Sequence, residues 1–338
     1  MSAITWSGQV PAALEEVDLR VDLAEMRLKN PVMTASGCAA AGRELDSFFD
    51  VTDIGAVVTK SVMLDPRSGN PTPRMAETPS GMLNSIGLQG PGIDSFLATD
   101  LPWLVSRKAR AVVSIAGSSL GEYAELARRV GNSPGVSAVE VNISCPNVHN
   151  RGLVFACDPY QAAKVMAAVR RDVPRDVPVF AKLSADVTDL VTVAESVMAA
   201  GATGLAMINT LLGLSIDPVT LRPVLGGVTG GLSGPAIRPV ALRCVWQVHQ
   251  AMPDVPIIGI GGIRTGLDAL EFMLAGASAV QVGTIIFHDP SAPIRIVTEL
   301  RAELAARGFT SPSQIVGLAH TPTTDSLAAT DLEGLRSP

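Results

Sequence analysis

The segment AVEVNISCPNVHNRG, residues 138–152, loads polar chemistry onto an apolar run. Val139, Val141 and Ile143 read as a buried strand, yet Asn142, Ser144, Cys145 and Asn147 gather around Pro146. An amide offers both a donor and an acceptor. A thiol assisted by nearby positive charge can act as a base. Similar placements recur along the chain. Of its five lysines, Lys29, Lys60, Lys108, Lys164 and Lys182, two lie in apolar runs: Lys60 in GAVVTK and Lys182 in VPVFAKL. Asn209 closes the run GLAMIN and is followed by Thr210. An unpaired amide in a buried strand costs on the order of 1–3 kcal/mol, and an unpaired ammonium costs several. Repeated placements of this kind imply a polar ligand that satisfies them.

The elements that must position these groups are short apolar runs, each followed by a turn and, in most cases, a helical pattern. The runs are residues 31–36, 55–60, 110–117, 138–144, 177–183, 204–209, 256–262 and 279–284. Near-continuous apolar runs suit strands covered on both faces, as in a parallel sheet. Amphipathic stretches of helical length lie between most of them, such as 158–172, where Asp158 stands at the N-cap and Pro159 at the first helical position. Eight βα units predict a (β/α)8 TIM barrel, an α/β fold. The rival, a doubly wound open sheet, would want G-x-G-x-x-G after its first strand, and TASGCAAAG is not that. The alternating stretch VDLRVDLAEMRLKNP predicts an N-terminal β-hairpin plugging the barrel bottom. Residues 1–310 are expected to form the single barrel domain, and 311–338 a C-terminal extension, loose over its last 18 residues.

In such barrels the active site lies at the C-terminal ends of the strands. The chemistry above falls there, together with two glycine turns, GIGGIRTG and QVGTIIFHD. Turns at those places can hold a phosphate on backbone N–H groups, although tight helix–strand packing would also call for glycine. A third glycine run, 226–239, could help close over a ligand. The pattern fits a phosphate-bearing cofactor across the barrel mouth, with Lys60 and Lys182 near an electron-accepting ring.

The composition narrows the field. The chain has 338 residues, is 47% hydrophobic and carries a net charge of −6, with no basic block to hold nucleic acid. Four cysteines, Cys38, Cys145, Cys157 and Cys244, form no C-x-x-C pair, so neither a metal site nor a disulfide framework is expected. Neither a signal peptide nor a membrane span is legible, which predicts a cytoplasmic protein. Cys38 and Cys244 are expected as small apolar fillers. His249, His288 and His320 show no ligand spacing and are expected to be structural or exposed.

With NPVMTASGC, VVTKSVMLDPRSGNPTPRMAETPSGMLNSIGLQGPG, EVNISCPNV, FAKLSADVTDLV, MINTLLGL, TGGLSGPAIRPVAL, IIGIGGI and VQVGT in order, the sequence resembles the dihydroorotate dehydrogenases over residues 20–310. The resemblance implies FMN and the oxidation of dihydroorotate to orotate in pyrimidine synthesis. It implies Cys145 as the base at substrate C5, with hydride passing from C6 to flavin N5. Asn84, Asn142, Asn147 and Asn209, with Thr210, would hold the substrate ring. Lys60 and the backbone of Ile86, Gly87 and Leu88 would meet its carboxylate. Lys182 would face the N1–C2 side of the flavin. Ala35, Ser36, Gly37, Lys60, Ser61, Asn142, Ile208, Thr210, Gly234, Gly261, Gly262, Gly283 and Thr284 would line FMN.

Cysteine in the motif resembles the soluble class 1 enzymes, and the surrounding motifs look most like the NAD-linked class 1B catalytic subunit. That likeness implies a homodimer or a heterotetramer with a subunit carrying FAD and a [2Fe–2S] cluster. The sequence departs from the subtype at HNRGLVFACDP, where His149, Arg151 and the extra Cys157 stand, and at Ala185-Asp186. Cys157 is therefore a second candidate base, and His149 either assists the thiolate or faces solvent. Related readings stay open: a dihydropyrimidine dehydrogenase or ene-reductase, or a barrel that binds flavin without turning over dihydroorotate. A tRNA dihydrouridine synthase would want a basic face, which the acidic balance opposes.

Overall fold

A computed structural model describes residues 11–143 and 158–321. Each of the eight apolar runs forms a strand. After a hairpin of β1 (Val21–Leu23) and β2 (Met26–Leu28) come β3 (Val32–Thr34) and β4 (Val57–Val58), then β7 (Ala111–Ile115), β8 (Val136–Asn142), β9 (Val179–Leu183), β10 (Gly204–Met207), β15 (Ile257–Ile260) and β16 (Ala279–Val282). They pair in parallel in the order β3-β16-β15-β10-β9-β8-β7-β4. A parallel bridge between Met33 and Ala56 joins β3 to β4 and closes the ring. Helices including Leu120–Gly131, Pro159–Asp172, Leu190–Ala199, Arg238–Ala251, Gly266–Leu274 and Ala292–Ala306 cover the outside, completing the (β/α)8 barrel.

Successive side chains of a strand point to opposite faces, and here the two faces have different partners. Val139 and Val141 of β8, with Val179 and Ala181 of β9, pack with helical residues such as Leu126, Val165 and Val193. Ala138, Phe180, Ala206, Ile258 and Ala279 pack instead with Val21, Leu23, Met26 and Leu28 of the hairpin. The hairpin thus plugs the end of the barrel where the strands begin. Strand starts carry small or apolar inward residues, and polar ones follow two and four residues later, as in Ala138, Glu140 and Asn142.

Helix starts match their sequence signals. Asp158 accepts a hydrogen bond from Tyr160 N at 2.9 Å, and Asp189 accepts one from Thr192 N at 3.1 Å. Such caps satisfy backbone donors that the first helical turn leaves open.

A second sheet at the mouth was not legible in the sequence. β5 (Met75–Thr78), β6 (Gly81–Asn84), β11 (Leu211–Gly213) and β14 (Gly230–Ser233) form an antiparallel sheet in the order β11-β14-β6-β5. A ribbon of β12 (Ile216–Asp217) and β13 (Arg222–Pro223) extends from it. Within the glycine run 226–239, Gly230–Ser233 is a strand of this sheet and Pro235–Ile237 a short 3-10 turn, and Ser233 to Pro235 line the cavity at the mouth. Gly81 is needed at close quarters, because a Cβ there would lie 2.0 Å from the Ser233 carbonyl oxygen.

Packing continues past residue 310. Ile315 is buried, and Gly317 N donates to Met273 O at 2.9 Å. The His320 ring stacks on Trp246 with centroids 3.6 Å apart.

Candidate active site

A cavity of about 770 Å³ opens where the barrel strands end, with the mouth sheet as one wall. That volume lies within the range of about 300–1,000 Å³ usual for small-molecule and cofactor sites. Ala35, Ser36 and Gly37 line it from the turn after β3, and Lys60 and Ser61 from the turn after β4. Asn84 of β6 and the following Ile86, Gly87 and Leu88 form another side. Asn142 of β8, Lys182 of β9, and Ile208, Asn209 and Thr210 after β10 approach from within the ring. Gly234, Gly261, Gly262, Gly283 and Thr284 complete it. Every sequence-derived site residue among those described lines this one space. Cys145 and Asn147, like His149, Arg151 and Cys157, lie outside the described residues.

A hydrogen-bonded chain sets the amides. Asn142 Nδ2 donates to Ser61 Oγ at 3.1 Å, and Asn142 Oδ1 accepts from Asn209 Nδ2 at 3.1 Å. Ser61 Oγ is 3.0 Å from the buried Ser114 Oγ and 3.4 Å from Ser36 Oγ. The Tyr123 hydroxyl, from a covering helix, donates to the Asn142 carbonyl at 2.8 Å. Asn84 Nδ2 donates to Gly231 O at 3.2 Å, fixing that amide to the mouth sheet. Thr284 Oγ1 donates to Ser233 Oγ at 2.8 Å, tying the last glycine turn to the same sheet.

The loop 85–88 is held in an unusual shape. Gly87 and Leu88 have φ of 76° and 54°, a conformation that costs a residue with a side chain free energy and gathers at functional sites. Asn70 clamps it, with N donating to Ile86 O at 2.9 Å and Nδ2 to Ser85 O at 3.0 Å.

The cations differ in their surroundings. Lys60 is half-buried. Lys182 is buried and pairs with Glu140, its Nζ 3.3 Å from Oε1. The other carboxylate oxygen, Oε2, accepts from Gln281 Nε2 at 2.7 Å. Glu140 is fully buried, and Gln281 Oε1 is buried with no hydrogen-bond partner.

Sequence reasoning missed several of these groups. Glu140 and Gln281 stand out only as single polar residues in AVEVN and AVQVG. Cys38, expected as a filler, is half-buried and lines the cavity. Burial pushes its thiol up to about 11, against the pull of Lys182 and Lys60. Cys244 is the apolar filler expected, fully buried in the helix–barrel core. Arg264, two residues past the Gly261-Gly262 turn, and His288, four past Thr284, are exposed groups on the cavity rim.

The residues present fit a flavin mononucleotide. A Cβ on Gly283 would meet Ala35 Cβ at 3.2 Å and Cys38 Sγ at 3.3 Å, so glycine keeps that wall open. The short turn Thr284–Phe287 leaves its first backbone N–H groups without partners inside the turn, beside Arg264 and His288, which suits a phosphate. At the floor, buried Lys182 suits the electron-rich edge of a reduced ring.

The family model for dihydroorotate dehydrogenase matches residues 18–304. The catalytic subunit of dihydroorotate dehydrogenase B (NAD(+)) from Geotalea daltonii is 52% identical over 300 residues, covering 89% of this chain and 97% of that protein. The subunit of the same name from Pelobacter propionicus is 53% identical over 300 residues, covering 89% and 98%. That from Anoxybacillus flavithermus is 50% identical over 299 residues, covering 88% and 95%. A likeness that runs through the barrel from its N-terminal hairpin to its last helix, and takes in every described wall of the cavity, makes this chain a member of the dihydroorotate dehydrogenase family.

Proposed function

We propose that this chain oxidises (S)-dihydroorotate to orotate, the redox step of pyrimidine synthesis, as an FMN-dependent catalytic subunit. The observation that carries the reading is the convergence of two lysines, three asparagines and paired glycine turns on one cavity at the strand ends. When bound, FMN supplies an isoalloxazine that takes up the hydride from substrate C6, and with it two electrons. The protein supplies the rest. Lys60 and the backbone of Ile86, Gly87 and Leu88 bind the substrate carboxylate. Asn84, Asn142, Asn209 and Asn147, with Thr210, bind the amide-like edges of the ring. Asn142 is already oriented, since Ser61 takes its N–H and Asn209 gives to its oxygen. Cys145 accepts the C5 proton as thiolate, so that the C5–H and C6–H bonds break while the C5–C6 double bond forms.

Ala35, Ser36, Gly37, Ser61, Ile208 and Gly234 would hold the cofactor, and Gly261, Gly262, Gly283 and Thr284 would hold its phosphate. Electrons leave to a partner subunit carrying FAD and a [2Fe–2S] cluster, within an assembly built on a homodimer. The relatives' designation as catalytic subunits supports a partner. So do the exposed apolar side chains Leu212, Leu214, Ile216, Val219 and Leu221 around the mouth ribbon. Among the described residues no helix is long and apolar enough to cross a membrane.

The test is anaerobic mixing. Purified protein should be yellow, and dihydroorotate should bleach its flavin absorbance faster than dihydrouracil does. Cys145→Ser should slow bleaching at neutral pH by about 10²-fold or more, the usual contribution of a positioned base. Flavin that dihydroorotate leaves oxidised in the wild type rejects the activity. Unchanged kinetics in the serine variant reject Cys145.

A further inference from the structure

The ion pair beneath the cavity has no part in holding substrate, yet its construction is specific. Lys182 and Glu140 come from adjacent strands, β9 and β8, and both point into the barrel, with side chains 5% and 0% exposed. Ions removed from water need partners to offset their lost hydration. Glu140 uses both oxygens, one on Lys182 and one on Gln281. Gln281 donates to the carboxylate while its own oxygen stays buried and empty. The opposite amide orientation would set oxygen against carboxylate. The position of Glu140 thus dictates that of Gln281, and the two together fix where the lysine ammonium sits.

Among the described residues Glu140 is the hydrogen-bond partner of Lys182, and the ammonium also lines the cavity. A carboxylate 3.3 Å below it cancels part of the positive field that it projects upward, and in a poorly polarisable interior such a field is weakly screened. Lys60 lines the same cavity half-exposed, where water screens it more strongly.

We propose that Glu140, braced by Gln281, is a positioning residue that fixes Lys182 at the cavity floor and moderates its charge, so that the triad rather than the lysine alone sets the reduction potential of the bound flavin. This rests on the reading that FMN occupies the cavity. Reduction adds negative charge to the flavin, so a stronger positive field below it raises the potential and a weaker one lowers it. Each substitution therefore has a predicted sign. Glu140→Gln keeps the shape and removes the carboxylate charge, so the potential rises. Gln281→Leu takes a donor from the carboxylate and leaves it less neutralised, so the potential falls. Glu140→Asp keeps the charge and stays close to wild type.

The experiment is anaerobic dye-coupled reduction of the FMN-loaded full-length chain and these three variants, reading the midpoint potential without substrate. A positive shift in E140Q, a potential close to wild type in E140D and a negative shift in Q281L support the triad. An E140Q potential equal to or below wild type overturns it. If E140Q does not yield folded, flavin-loaded protein, Q281L decides: a negative shift supports the proposal, and no shift or a positive one overturns it. A wild-type chain that takes up no FMN fails the functional reading and the triad with it. Yellow wild type with unmoved variants fails the triad alone.

Discussion

Cys38 shows how surroundings decide what a reactive residue type can do. It lines the cavity, and two lysines draw its thiol toward ionisation, yet burial outweighs them and lifts it from 9.0 to about 11. The thiolate is the reactive form, so this shift lowers its population at neutral pH by about a hundredfold. Iodoacetamide at pH 7.5 should therefore spare Cys38, and the core residue Cys244, in folded protein, and modify both after denaturation. Peptide mass mapping reads this directly, and fast labelling of native Cys38 would contradict it. The site was partly legible at this scale because a lysine or asparagine ending an apolar run is conspicuous. Glu140 and Gln281 escaped notice because one polar residue between valines gives no hint of a partner 141 positions away.

The barrel strands were legible as elements because being covered on both faces leaves a continuous apolar run, and Asp158 marked its helix by capping chemistry. The mouth sheet was hidden. Its strands MAET, GMLN, LLG and GGLS are short and without clear alternation, and the last three contain glycine. Their pairing joins Asn84 to Gly231, far apart in sequence. What specifies them is close backbone approach, which leaves glycine as its only trace. Gly81→Ala tests this, since its Cβ would strike the Ser233 carbonyl. The variant should fold, because the barrel does not depend on it, but the wall carrying Asn84 and Ser233 should shift. We expect FMN affinity to fall at least about tenfold, equivalent to about 1.4 kcal/mol, as read by flavin fluorescence on titrating apoprotein. Unaltered affinity would show that the wall tolerates the displacement.

At the scale of the whole molecule, residues 311–321 pack against the barrel, with His320 beside Trp246 and His249. The rings of His249 and His320 lie 4.9 Å apart, and His249 Nδ1 is buried without a partner. Burial, then the charge of His320, holds His249 below its ordinary 6.5, with Asp254 opposing. The folded state thus keeps this ring neutral, whereas the unfolded chain takes up a proton near the ordinary value. Stability contributed here is present above that value and lost as pH falls through it. Thermal midpoints should drop between pH 7.5 and 5.5, and His249→Gln should flatten part of that slope. An equally steep slope in the variant would move the effect elsewhere.

The ring itself closes between distant parts of the chain. β16 pairs with β3 through Val280 and Val32, while β3 meets the two-residue β4 through the Met33–Ala56 bridge and the hydrogen bonds of the Thr34 hydroxyl with Val58. During synthesis, then, β3 has no full-length neighbour until the last strand leaves the ribosome. A nascent chain stalled before that point carries two open parallel edges, the kind of surface that recruits other chains. Prematurely terminated translation products of this protein are therefore natural clients for chaperones and proteases.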